Sequence, residues 1–148
     1  MPNVKVYLHF VWTTKMKMPF LYHSEIRKKV WSHIKQYAKS KKIKLMAVNG
    51  HSDHCHCLVS LSNTQRICDI AKYLKGESSN WINNTGLIKD YFMSEDFDWQ
   101  NDYHVESVSP FHLKTVINYI ERQEKHHLDK NFDDELKQFL KESKENKT

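Results

Sequence analysis

Two imidazoles stand one residue apart at His54-Cys55-His56, in a chain that holds ten histidines among 148 residues. Neighbouring imidazoles are a natural ligand pair for a divalent ion, and histidine also moves protons near neutral pH. On a β-strand, residues two apart point the same way. Both imidazoles then leave one face. Cys55, Cys57, Val59 and Leu61 leave the other, with the apolar character of a helix-covered side. The same alternation excludes a zinc site made of His54, Cys55, His56 and Cys57, because four consecutive strand residues do not converge on one ion. Taken alone, the pair is equally consistent with two surface histidines.

A second group lies downstream. A helix from Pro110 to about Leu128, advancing about 100° per residue, buries Leu113, Val116, Ile117 and Ile120 along one stripe. His112, Tyr119, Gln123 and His126 gather on the adjacent stripe, within roughly 60° of one another. Tyr119 and Gln123 are one turn apart and share a face. By themselves they read as a boundary tyrosine and a solvated glutamine. Beside two imidazoles, Gln123 offers a neutral oxygen ligand and Tyr119 a nucleophilic hydroxyl.

These residues need elements to place them. Residues 4–12 alternate, with Val4, Val6, Leu8, Phe10 and Trp12 on one face and Lys5, Tyr7, His9 and Val11 on the other, which predicts a half-buried strand. Ser24 is a candidate cap for a helix to about Lys41, with an apolar stripe of Ile26, Val30, Trp31, Ile34, Tyr37 and Ala38. Residues 43–48 predict a second strand, Asn49-Gly50 a turn, and His54–Leu61 a third strand. A helix follows from Asn63 or Thr64, with its end near Gly76 left open. Residues 83–98 read as a connector and 99–108 as a weak fourth strand. Ser109-Pro110 is a cap and first-turn proline. Asp133 heads a short last helix carrying Leu136, Phe139 and Leu140, before a frayed tail after Glu142. The order predicts an α+β fold. It is the ferredoxin-like βαββαβ antiparallel sheet, with helices on one face, the other face open, and C-terminal helices added.

Composition sets the frame. The chain suits one domain over residues 1–148, about 129–148 being the C-terminal helix and tail. At 39 % hydrophobic and 28 % charged residues it supports a packed core rather than disorder. No apolar run reaches the roughly 20 residues of a membrane helix, and three cysteines without a signal block fit a reducing cytoplasm. A net charge of +5 permits a polyanionic partner. From Ile26 to Lys44 there are eight basic residues, Arg27, Lys28, Lys35 and Lys39 among them, and no acidic one. Such a run is either a solvated helix face or a phosphate-neutralising stripe.

The segment Gly50-His51-Ser52-Asp53-His54-Cys55-His56-Cys57-Leu58-Val59 resembles the HUH motif of single-tyrosine transposases of the insertion-sequence two-hundred type, which include the REP-associated tyrosine transposases. Cys55 occupies the hydrophobic position between the histidines. Trp99-Gln100-Asn101-Asp102-Tyr103 and Ser107-Val108-Ser109 are similar to further family segments, with Asp102 where glycine is usual. Tyr119-Ile120-Glu121-Arg122-Gln123 resembles the catalytic Tyr-x-x-x-Gln helix, trailed by His126 and His127. Leu74-Lys75-Gly76 also fits, and the likeness spans nearly the whole chain.

The resemblance implies cleavage and rejoining of single-stranded DNA carrying a hairpin, with Tyr119 attacking a backbone phosphate to give a 5′-phosphotyrosine and a free 3′-hydroxyl. It implies that His54, His56 and Gln123 hold a divalent ion, Mg²⁺ or Mn²⁺ by the mixed nitrogen and oxygen set. It further implies a homodimer in which Tyr119 of one subunit can serve its partner's histidines, phosphate contacts along Arg27, Lys28, Lys35 and Lys39, and supporting parts for His9 and His126. Two other readings compete: a hairpin-binding module that does not cut, and a metal-dependent nuclease in which water attacks.

Overall fold

The computed structural model describes residues 2–126. The expected last helix at Asp133, with Leu136, Phe139 and Leu140, and the tail lie outside the described residues. β1 (Val6–Thr13), β2 (Lys44–His51), β3 (His54–Leu61) and β4 (His104–Val108) form one antiparallel sheet in the order β2-β3-β1-β4. This is the expected split-βαβ arrangement. It puts the histidine-bearing strand in the interior of the sheet, hydrogen-bonded along both edges.

α1 (Ser24–Ser40) and α2 (Ile67–Thr85) cover one sheet face. Their apolar stripes, Val30, Ile34 and Ala38 on α1 and Ile70, Leu74 and Ile82 on α2, meet Leu8, Phe10, Trp12, Cys55, Cys57 and Val59. α2 runs through Gly76 and stops at Gly86, whose left-handed φ of 65° lets its N–H return to the carbonyls of Ile82 and Asn83. The connector expected at residue 83 therefore begins only after Gly86.

The opposite face is not open. α3 (Leu113–Glu121) crosses it, packing Val116, Tyr119 and Ile120 against Ala47 and Leu58 as a second small core. Nine residues are too few for a stable isolated helix. Each fully buried Leu or Ile here contributes about 1.5–3 kcal/mol, which outweighs the cost of nucleation. β2 can serve both cores because a bulge at Met46 shifts its register: Leu45 and Val48 face α1 and α2, while Met46 and Ala47 face α3.

The hairpin turn is Ser52-Asp53, not Asn49-Gly50. Gly50 sits inside β2, opposite Cys55. The long helix expected over 110–128 is interrupted. A 3₁₀ turn at Pro110–His112 leads into α3, and Arg122 (φ −94°, ψ 14°) separates it from α4 (Gln123–His126).

Candidate active site

His54 and His56 leave β3 on the α3 side, and both are buried. β1 adds a third buried imidazole, His9. Its register partner is Leu58 while Val11 opposes His56, so His9 is the diagonal neighbour of His56 on the same face. His9 Nε2 and His56 Nδ1 are 2.9 Å apart, with rings stacked at 5.1 Å and 19°. Burial, helped by the nearby His104, pulls the His9 pKa down to about 3, so this imidazole is neutral at physiological pH.

His54 is held at both ring nitrogens. Nδ1 lies 2.9 Å from Asp53 Oδ1, and Nε2 lies 3.1 Å from Gln123 Oε1. The Gln123 amide is fixed in that sense because its Nε2 donates to the Tyr119 carbonyl at 3.3 Å. A neutral imidazole has one N–H. If Nδ1 donates it to the carboxylate, Nε2 turns a lone pair toward another lone pair on Gln123. A cation held by both would satisfy each. The 3.1 Å gap is also about the separation of adjacent ligands on an ion with bonds of about 2.1 Å. The carboxylate on His54 and the His9 ring on His56 hold the two imidazoles in the way outer partners hold imidazoles that ligate a metal. Among the described residues no group of three or more His, Cys, Asp or Glu is arranged for a metal. Gln123 adds an amide oxygen beside His54, and a donor set of two imidazoles and one amide fits the ion expected from the sequence.

Tyr119 lies beside this group. Its ring is 5.6 Å from that of His56 at 82°, and 6.5 Å from that of His9 at 76°. The nucleophile candidate and the imidazole pair thus come together within one chain. Cys55 and Cys57 point into the opposite core with their sulfurs 3.8 Å apart, so they take no part.

A family model for IS200-like transposases matches residues 3–123. The chain belongs to the IS200-like transposase family. This member is 26 % identical over 116 residues to the transposases of insertion sequence IS200 from Salmonella typhimurium and Salmonella typhi, covering 78 % of this chain and 74 % of each relative. Its fold is similar to a crystal structure from Deinococcus radiodurans described as a transposase, at TM-score 0.65 and 24 % identity over 82 % of this chain and 93 % of that one. It is also similar to a REP-associated tyrosine transposase bound to a REP hairpin, at TM-score 0.55 and 11 % identity, covering 86 % of this chain and 72 % of that one.

Of the basic residues expected on this transposase's DNA-facing stripe, Lys28, Lys35 and Lys39 are exposed along α1. Arg27 is not: it is buried, and its guanidinium is committed to Glu124 and to two main-chain carbonyls. Its place on the buried face of α1 withdraws it from any exposed stripe. α1 and its lysines lie on the sheet face opposite the imidazoles. His126 is the last residue of α4; its side chain lies outside the described residues. Two residues were not anticipated. Asp53 could have been read as a histidine partner from its position next to His54. Glu124 had no signal in the sequence, since its partner lies 97 residues away. No helix among the described residues is long and apolar enough to cross a membrane.

Proposed function

We propose that this transposase cleaves and rejoins single-stranded DNA with Tyr119 as the nucleophile, in a site completed by a divalent ion on His54, His56 and Gln123. The observation that carries the proposal is the convergence of the Tyr119 ring, the two imidazoles and the Gln123 amide at one buried spot between β3 and α3. Tyr119 Oη attacks the phosphorus in line and loses its proton. A tyrosyl–phosphate bond forms at the 5′ side, and the bond to the 3′ oxygen breaks. That oxygen takes up a proton to leave a 3′-hydroxyl. Attack by a 3′-hydroxyl on the tyrosyl phosphate reverses the sequence, conserves the phosphodiester bond and needs no nucleotide cofactor.

The difficulty is charge. A free phenol has a pKa near 10, and the phosphate repels its anion. When bound, Mg²⁺ or Mn²⁺ supplies polarisation of the phosphoryl oxygen and neutralises developing charge. His54, His56 and Gln123 would hold it. Asp53 orients His54, and neutral His9 orients His56 without adding charge. The substrate is read as a single strand with a hairpin, the ligand named for the REP-associated relative. The working unit is read as a homodimer; the position of Tyr119 beside its own chain's His56 supports cleavage in cis.

The test is incubation of a labelled hairpin-bearing single strand with the protein and Mn²⁺. A covalent protein–DNA adduct is expected, absent in Tyr119→Phe and in the presence of chelator. Metal-dependent cleavage that persists in Tyr119→Phe identifies water as the nucleophile and sinks the proposal. Binding without any cleavage identifies a recognition module and does the same.

A further inference from the structure

Arg27 is 4 % exposed at its side chain, yet it is cationic and sits on a helix otherwise buried through apolar residues. Each of its nitrogens has a fixed acceptor. Nη1 donates to the carbonyls of Leu21 (2.8 Å) and Tyr22 (2.6 Å). Nε donates to Glu124 Oε1 at 3.0 Å, and Nη2 to Glu124 Oε1 and Oε2 at 2.9 and 2.8 Å. This is the two-pronged fork that only a guanidinium makes with a carboxylate. The two partners come from α1 and α4, opposite ends of the described chain.

Glu124 is the residue after Gln123. α4 begins where the helix ladder breaks at Arg122, so α3 does not rigidly dictate its direction. The Tyr119 carbonyl turns the Gln123 amide, but the backbone that carries Gln123 needs its own anchor. The carboxylate of the next residue, gripped by a buried guanidinium, is placed to supply it. His51 Nε2 stands 3.9 Å from the same carboxylate, and Asn49 Nδ2 donates to the Glu121 carbonyl at 3.3 Å. The hairpin that carries His54 therefore borders the clamp too.

We infer that the Arg27–Glu124 clamp is a positioning device for the metal site, fixing Gln123 as its amide ligand. The bidentate grip on a buried guanidinium ties α4 to α1 one residue from Gln123, although Glu124 itself is 48 % exposed. The inference rests on the metal reading given under Proposed function.

The experiment measures Mn²⁺ affinity of the full chain by titration and electron paramagnetic resonance, without DNA. Wild type, Glu124→Gln, Gln123→Ala and the double variant are compared. Glu124→Gln is expected to weaken Mn²⁺ binding about tenfold, the usual cost of losing an outer partner of a ligand. In the Gln123→Ala background the same change is expected to do nothing further, because the ligand it aims is gone. Arg27→Lys keeps the charge but not the fork and is expected to weaken binding similarly; it serves if Glu124→Gln does not fold. Unchanged affinity in Glu124→Gln overturns the clamp. So does a tenfold loss that persists without Gln123. If the wild type itself takes up no Mn²⁺, the metal reading fails and this inference falls with it.

Discussion

Replacing Gly50 by alanine should unfold the protein well below the wild-type temperature, and replacing Gly76 should do the opposite. A Cβ at Gly50 would press on the carbonyl oxygen of His54, well inside van der Waals contact, and stand 3.0 Å from Cys55 Cα. Both obstacles are backbone of the interior strand β3, paired on each edge, so neither can swing aside. Overpacking costs about 1–3 kcal/mol, and an immovable obstacle puts Gly50→Ala at the upper end. An unfolding entropy of about 2.1 cal/mol/K per residue over 148 residues gives about 0.3 kcal/mol/K. The melting temperature should then fall by about 10 °C. At Gly76, inside α2, nothing lies within 4 Å of the added methyl. Alanine there gains about 1 kcal/mol of helix propensity, or about 3 °C. Thermal unfolding by circular dichroism measures both. A Gly50→Ala protein that melts within about 2 °C of wild type refutes the steric argument.

Acid should destabilise the metal-free protein through His9. Its folded pKa of about 3 is depressed from 6.5, so the stability it contributes is whole above pH 6.5. That stability is lost as the pH falls toward 3, because the unfolded chain takes up a proton the folded one refuses. At about 1.4 kcal/mol per pH unit, pH 5 costs about 2 kcal/mol. Urea unfolding at pH 7, 6 and 5 should show this slope, reduced by one proton in His9→Phe; an unchanged slope contradicts it. Lys75 Nζ donates to the carbonyls of Gln100, Asn101 and Asp102 at 2.6, 2.9 and 3.2 Å. Lys75→Met keeps the stem and loses those bonds, and should lower stability by about 1–2 kcal/mol. A melting temperature equal to wild type would count against the clasp.

Alternation in residues 4–12 and 54–61 fixed which side chains share a face, because one sheet face buries apolar groups and the pleat has period two. That sufficed to bring His9, His54 and His56 together. It did not suffice for β2, where the bulge at Met46 breaks the period and carries the strand on to His51. Asn49-Gly50 looked like a turn because turns favour that pair. Here Gly50 answers a tertiary demand, a neighbouring backbone too close for any side chain. The helical wheel puts Tyr119 and Gln123 on one face, and the structure brings both to the imidazoles by a different route. The wheel assumes an unbroken helix, whereas Arg122 leaves it and the two residues meet the imidazoles from separate segments. Arg27 was indistinguishable from its lysine neighbours in a run of charge; only its position on the stripe of Ile26 and Val30 hinted that it turns inward.

β3 is laced to β2 and β1 along its length and roofed on both sides. Amide hydrogens on such a strand exchange with solvent only when the whole domain opens. The two imidazoles therefore ride on one of the last segments to give way, and their mutual spacing should persist up to global unfolding.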